Sequence, residues 1–448
     1  MSELIISVSG LRGIVGQTLT PDVARRFVAA FESTLDAPGS AGDIVVTRDG
    51  RASGPMMAEA ICDELRQRGR NVYDAGVAAT PTTGVLIKSR GFAGGVQISA
   101  SHNPAEYNGI KLFGPDGRVL PQQLGERVLA VYNGDVPDTT ADAGRDVSFD
   151  DNFSEHLNSV CATVDVDRIR QRGFTVVLDS NHGAGSQLGS VLLESLGCDV
   201  TVLGDQPDGQ FEHPPEPTAN NLATVCEKIV NAGAVVGFCQ DPDADRLALI
   251  DETGRYIGEE YTLAICLDHV LRQMKGPVVT NCATSRMSQD IAEKHGCTYV
   301  RAAVGEANVV DAMLENNAVF GGEGNGGPID PRVGYVRDSM VGMALVLDAM
   351  ATRGMKVSEL ADELPRYEIF KTKVQLPKDQ LASALDAVER HFADTKADHM
   401  DGLRLDWPDR WLLFRASNTE PIVRIITEAP TMEDAVKLAK DAENAINA

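Results

Sequence analysis

The sequence predicts an α/β protein: three related α/β units with mainly parallel sheets, then a smaller C-terminal α+β domain. Two observations carry this. A strand–turn–helix–strand pattern recurs three times along the chain, and alternating strands and helices build parallel sheets. The 448 residues also exceed the roughly 250–300 at which single cores stop growing, so several domains are expected.

Each copy opens on a short run rich in β-branched residues, which reads as a buried strand: DIVVT at 43–47, FTVVLD at 174–179 and PVVTN at 277–281. A turn and a helix-like stretch follow: GPMMAEAICDELRQRG, SQLGSVLLESLG and SRMSQDIAEKHG. Each closes on a glycine, as helix C-termini often do. A second strand comes next (NVYDAG, CDVTVLG, CTYVRAAVG), then a third: AGGVQIS at 93–99, AGAVVGFC at 232–239 and NAVFGG at 317–322. Beyond each third strand lies a polar loop, ASHNPAEYNG, QDPDADR or EGNGGP. Loops past the carboxyl ends of parallel strands carry ligands, so these three are expected at one shared cleft. From Tyr367 onward the chain reads as alternating strands beside helices. The expected domains are 1–150, 151–257, 258–366 and 367–448, with 131–146 a surface loop or linker.

A formal net charge of −24 argues against nucleic acid and against an anionic membrane surface, both of which call for a basic face. It leaves room for a small anionic substrate held by a few local cations. The eight cysteines contain no C-x-x-C pair and read as reduced thiols. The opening MSELIISVSG lacks the basic stretch and the apolar run of a signal peptide, and no stretch approaches the roughly 20 apolar residues of a membrane span. A cytoplasmic protein is expected.

The chemistry sits in the loops. Ser101 follows a strand, is flanked by small residues and precedes His102, the setting of an exposed nucleophile, although Ser, Asn and Pro also suit an ordinary turn. In DPDADR, Asp241, Asp243 and Asp245 alternate, so an extended loop aims all three to one side, where they repel unless a cation lies between them. An EF-hand would place Glu252 as its last ligand, but Arg246 stands where that loop needs Gly and LALI reads as strand. Hard oxygen ligands with open positions suit Mg²⁺ that also meets a phosphate. GGEGNGG at 321–327 allows close backbone approach and offers Glu323 and Asn325 to sugar hydroxyls. RASNTEPIVR offers Arg415, Ser417, Asn418, Thr419 and Arg424 to a phosphate dianion, or forms a polar hairpin. Arg12 stands between glycines in SGLRG and reads as part of the site, whereas Arg48 and Arg51 in TRDGR read as surface charge.

In this order, SGLRG, TRDGR, SASHNP, DPDADR, GGEGNGG and RASNTEP resemble the α-D-phosphohexomutase superfamily over essentially the whole chain, closest to archaeal-type phosphoglucosamine mutases. The resemblance implies four domains around a central cleft and interconversion of hexose 6-phosphate and hexose 1-phosphate through a phosphoserine and a bisphosphosugar. It implies a phosphoryl group on Ser101, with Arg12, His102 and Lys111 around it and Lys111 as general acid or base. It further implies Mg²⁺ on Asp241, Asp243, Asp245 and a Ser101 phosphate oxygen, and hexose 1,6-bisphosphate as activator. Arg246, Gly305, Glu323 and Asn325 would meet the sugar, and Arg415, Ser417, Asn418, Thr419 and Arg424 its distant phosphate. Glucosamine phosphate is the expected substrate, with phosphomannomutase/phosphoglucomutase activity as the alternative, and the chain a monomer or homodimer. From other classes, a sugar-phosphate phosphatase and a silent sugar-phosphate binding protein remain. Some positions depart from the family pattern: Asn325 stands for the common Ser, Gly327 for His, Ala302 for Thr and Ser99 for Thr.

Overall fold

The computed structural model describes residues 4–8, 10–35, 42–139, 142–147, 151–416 and 422–446. Among these, each repeat becomes a mixed sheet with the same internal strand order. In the second repeat, Thr175–Asp179 lies between parallel neighbours Asp199–Leu203 and Val236–Gln240, and Leu247–Asp251 returns antiparallel beside the last. The third repeats this with Val278–Asn281 between Tyr299–Ala302 and Phe320–Glu323, then Gly327–Ile329 antiparallel. The first places Ile44–Arg48 between Val72–Val77 and Gly94–Ile98, adds Tyr107–Phe113 antiparallel, and extends this edge with Gly10–Ile14 and Ile5–Ser7. Strands buried on both faces explain the continuous apolar runs in the sequence.

The glycines closing the repeated helices act as expected. Gly69, Gly197 and Gly296 follow Gly54–Gln67, Gly185–Ser195 and Met287–Lys294 at φ of +87°, +78° and +68°. That left-handed turn stops each helix and aims the chain at the next strand.

The fourth sheet is wholly antiparallel, in the order Glu368–Gln375, Ile422–Ala429, Trp411–Ala416, Leu403–Asp406, Lys396–Asp398. Helices Leu381–His391 and Met432–Ile446 lie beside it and share a core with Phe414, Val423 and Ile425.

The stretch 131–146 is only partly a loop. Helix Gln122–Asn133 runs into its start, and its end lies along an edge strand through Val72 N–H to Arg145 C=O and Val147 N–H to Val72 C=O.

The second and third units share one apolar core, which joins Val160, Leu192 and Leu247 to Leu267, Leu345 and Leu364. Helix Ser339–Arg353 lies at its centre with every residue from Ser339 to Ala351 buried. A helix apolar on all sides must be enclosed, so these two units form one body. No helix among the described residues is long and apolar enough to cross a membrane.

Candidate active site

Ser101 stands just past Gly94–Ile98, in a left-handed backbone at φ +49°. Its Oγ donates to Asp241 Oδ2 at 2.7 Å and lies 3.3 Å from His102 Nδ1. The serine is not exposed, as its loop position suggests, but 1% accessible. The aspartate loop of the second unit covers it, a contact 140 residues away in sequence.

Arg51 is the larger correction. It is 2% exposed rather than a surface charge, and all five of its guanidinium N–H groups are engaged. Nε donates to Asp49, Nη1 to the Pro104 and Tyr107 carbonyls, and Nη2 to those of Ser101 and Asn103. Asp49 also accepts from Ser99 Oγ at 2.6 Å, and Ser99 Oγ accepts the Ser101 N–H. Arg51 thereby fixes the serine loop. Arg48 stays peripheral, 3.6 Å from Asp74.

The aspartate loop is tied down on both sides: the Ala184 N–H donates to the Pro242 carbonyl at 2.7 Å and the Leu247 N–H to the Gly326 carbonyl at 2.9 Å. Ligand atoms of Asp241, Asp243 and Asp245 lie within 4.8 Å of one another, and all three residues are fully buried. The loop is over-determined: Asp241 Oδ1 accepts the N–H groups of Asp245 and Arg246, while Ala244 sits at φ +56°. Glu252 turns away to Ser358 Oγ at 2.7 Å, and 247–251 is strand, which disposes of an EF-hand.

Charge inside this cluster is divided unequally. Burial and the two neighbouring carboxylates push the Asp241 carboxyl well above its usual range. Burial also opposes charge on Asp243, but Lys111 and Thr80 outweigh it and hold its pKa down. Like charges at this range oppose one another's ionisation, and Asp241 bears most of that opposition. Lys111 bonds Asp243, and its Nζ lies 3.0 Å from Asp245 Oδ2. Burial would discharge it, yet these carboxylates raise its pKa. His102 is driven the other way, down to about 3, by burial and by Arg246 and Arg12, so it is neutral. Arg12, on Gly10–Ile14 opposite Gly109, reaches Asn103 Oδ1 at 3.4 Å.

Arg337 was not legible as a site residue. It donates to Asp245 Oδ2 at 2.6 Å, Glu323 Oε2 at 2.8 Å and Glu306 Oε2 at 3.1 Å. A lone Arg before a D-S helix start gave no hint of three distant carboxylates. Glu323 also accepts from Asn281 Nδ2 at 2.6 Å and from the Gly305 N–H at 3.2 Å, which ties Gly305 and the glycine loop together. Among the described residues Asn325 Oδ1 is buried with no hydrogen-bond partner, and Arg246 Nε, also without one, lies 3.8 Å from Asp245 Oδ1.

On the fourth sheet, Arg415 and Arg424 are directly opposed, and Lys373 opposes Arg424 from the next strand. Opposed residues project to one side of a sheet, so three cations form a row. Asp401 accepts from Arg415 Nε at 2.7 Å and from the Val304 N–H at 2.9 Å, linking this row to the third unit. Lys373 could have been noticed from the alternation in FKTKVQ. Ser417, Asn418 and Thr419 lie outside the described residues.

Comparison with known proteins gives the family. Four family models of phosphoglucomutase/phosphomannomutase match in order: α/β/α domain I over 4–136, domain II over 151–254, domain III over 259–367 and the C-terminal domain over 372–445. A phosphoglucomutase/phosphomannomutase of Thermococcus kodakarensis is 38% identical, covering 95% of this chain and 94% of the relative. A protein of Methanopyrus kandleri named as a probable phosphoglucosamine mutase is 33% identical over 96% of this chain and 95% of its own. A solved phosphoglucomutase/phosphomannomutase family protein from Burkholderia thailandensis superposes with a TM-score of 0.84 at 27% identity, over 99% of this chain and 98% of that one. With all four domain models matched in order, and relatives above 30% identity along nearly its whole length, this chain belongs to the phosphoglucomutase/phosphomannomutase family of the α-D-phosphohexomutase superfamily, whose members are isomerases.

Proposed function

We propose that the chain interconverts a hexose 6-phosphate and a hexose 1-phosphate by passing a phosphoryl group through Ser101. The observation that carries this reading is the 2.7 Å junction of Ser101 Oγ with Asp241, with Lys111 on the neighbouring Asp243 and Asp245 and the charges of Arg12 and Arg246 acting on His102. Phosphoryl transfer asks chiefly for alignment and charge neutralisation, and this site is built of both.

The acidic triad fits Mg²⁺. Among the described residues Asp243 Oδ1 and Asp245 Oδ1 are buried with no hydrogen-bond partner, a costly arrangement that a hard cation would relieve. Asp241, Asp243 and Asp245, with an oxygen of phosphorylated Ser101, would hold the ion. When bound, it supplies positive charge to the transferring group.

The chain's own residues account for the rest of the reading. Phosphoserine 101 yields its phosphoryl group to a sugar hydroxyl, and the bisphosphosugar later returns its other phosphate to Ser101 Oγ. A hexose 1,6-bisphosphate would therefore charge an unphosphorylated enzyme and act as activator. As the sugar oxygen bonds phosphorus and the Oγ–phosphorus bond breaks, Lys111 Nζ acts as general acid or base, passing the hydroxyl's proton on to the departing oxygen, and Arg12 and neutral His102 line the same group. Gly305, Glu323, Asn325 and Arg246 meet the sugar. Arg415 and Arg424, with Ser417, Asn418 and Thr419, grip the phosphate that is not reacting. The segments 1–150, 151–257, 258–366 and 367–448 are the working domains of this reading, which places the enzyme in the cytoplasm.

Glucosamine phosphate is the first substrate we name, in keeping with relatives named as probable phosphoglucosamine mutases. The 38% identical relative carries the name phosphoglucomutase/phosphomannomutase and favours glucose or mannose phosphate as the second reading. The test is a side-by-side mutase assay with glucosamine, N-acetylglucosamine, mannose and glucose phosphates. Isomer formation from one of them, with a phosphate-sized mass gain on Ser101, supports the reading. Free phosphate in place of isomer, or no turnover of any, refutes it.

A further inference from the structure

A buried polar chain lies behind the aspartate loop, and it joins three of the four units. Thr82, at the start of helix Thr80–Arg90, places its Oγ1 2.9 Å from His156 Nδ1. His156, on Ser154–Cys161, places its Nε2 2.7 Å from Asp338 Oδ2. Asp338 is the N-cap of Ser339–Arg353, where its Oδ1 accepts the Met340 N–H at 2.8 Å. All three side chains are enclosed, His156 completely, so water does not substitute for these contacts. A carboxylate only accepts, so Nε2 donates to Asp338, and Nδ1 shares the other hydrogen bond with the Thr82 hydroxyl.

Both ends of this chain stand beside residues that grip the aspartate loop. Two positions before Thr82, Thr80 N–H donates to the Asp243 carbonyl at 2.9 Å and its Oγ1 to Asp243 Oδ2 at 2.5 Å. Immediately before Asp338, Arg337 holds Asp245 Oδ2 at 2.6 Å. Immediately after it, Ser339 Oγ donates to the carbonyl of strained Ala244 at 2.6 Å. Three consecutive loop residues are thus clasped from two other units. His156 bonds the two clasps to one another through Thr82 and Asp338.

We propose that His156, with Thr82 and Asp338, is a positioning device that sets the geometry of the Asp241–Asp243–Asp245 triad for a divalent cation. The inference rests on the metal reading of that triad given above. His156 touches no reacting group; it acts by fixing Thr80 and the pair Arg337 and Ser339 relative to one another. Misplacing a carboxylate by a fraction of an ångström loosens a hard cation that tolerates little distortion. Partners one step removed from the ligands commonly change metal affinity by about 10–100-fold when lost.

The experiment measures Mn²⁺ binding to the purified full-length protein by electron paramagnetic resonance of the free ion, with no substrate present. His156→Phe fills the space without either hydrogen bond and is expected to weaken Mn²⁺ by about tenfold or more. Thr82→Val removes one arm isosterically and serves if His156→Phe does not fold. His156→Gln keeps a donor for Asp338, and His156→Asn an acceptor for Thr82; each is expected to recover part of the affinity. Val160→Ala, on the same helix and outside the polar chain, controls for lost stability. Full Mn²⁺ affinity in folded His156→Phe or Thr82→Val overturns the device and leaves the metal reading standing. An equal loss in Val160→Ala also overturns it, because general loosening then explains the effect. Failure of the unaltered protein to bind Mn²⁺ overturns the metal reading and the device together.

Discussion

Arg337→Met removes a cation that touches three carboxylates of the site. In the intact protein its guanidinium meets Asp245, Glu323 and Glu306 at 2.6, 2.8 and 3.1 Å, and it is 8% exposed. Methionine matches much of the stem but leaves Glu323 and Glu306 without this partner and Asp245 to Lys111 and the more distant Arg246. Breaking a buried ion pair by deleting one partner costs about 3–5 kcal/mol, because the survivor stays desolvated. At roughly 2–4 °C per kcal/mol for a unit of domain size, the melting temperature in EDTA falls by about 6–20 °C. A divalent cation at the triad replaces part of the missing charge, so Mg²⁺ raises the Tm of the variant more than that of the unaltered protein. Arg337→Lys keeps one charge but loses the fork and falls in between. The assay is differential scanning calorimetry with EDTA and then with excess Mg²⁺. A variant that melts within about 2 °C of the parent in EDTA refutes Arg337 as the counter-ion of this cluster.

Other substitutions test other parts of the site. Ser101→Ala removes the hydroxyl but only one buried hydrogen bond, so mutase turnover is lost while stability changes by about 1 kcal/mol; normal turnover would contradict the phosphoserine route. Burial lifts the Glu260 carboxyl from 4.5 to about 8. The folded state therefore binds this proton more tightly than the unfolded chain, and stability falls as pH rises from about 5 through 8, by at most about 1.4 kcal/mol per unit. Glu260→Gln flattens that fall in urea melts, and an unchanged slope counts against the assignment. Lys373→Ala shortens the cation row beside Arg424 and Arg415, so KM for hexose phosphate rises about tenfold with kcat nearly constant, the worth of about 1.4 kcal/mol; an unchanged KM places Lys373 outside the phosphate subsite.

The sequence alone determined the repeated units and their loops, because the signals are local. Period, β-branching and terminal glycine are set by neighbours a few residues apart, and they located the strand ends from which Ser101, the aspartate triplet and the glycine loop project. The alternation in DPDADR was enough to predict convergent carboxylates. Tertiary structure alone decided which charges are interior. Arg51 in TRDGR and Arg337 before an apolar helix look like solvated cations in their local settings, yet Arg51 binds carbonyls 50 to 56 residues away and Arg337 a carboxylate 92 residues away. Thr82, His156 and Asp338 meet across separations of 74 and 182 residues. No spacing rule spans such distances: burial of a polar group is fixed by which surfaces the folded units press together. That packing also enclosed Ser101, whose loop alone gave it to solvent.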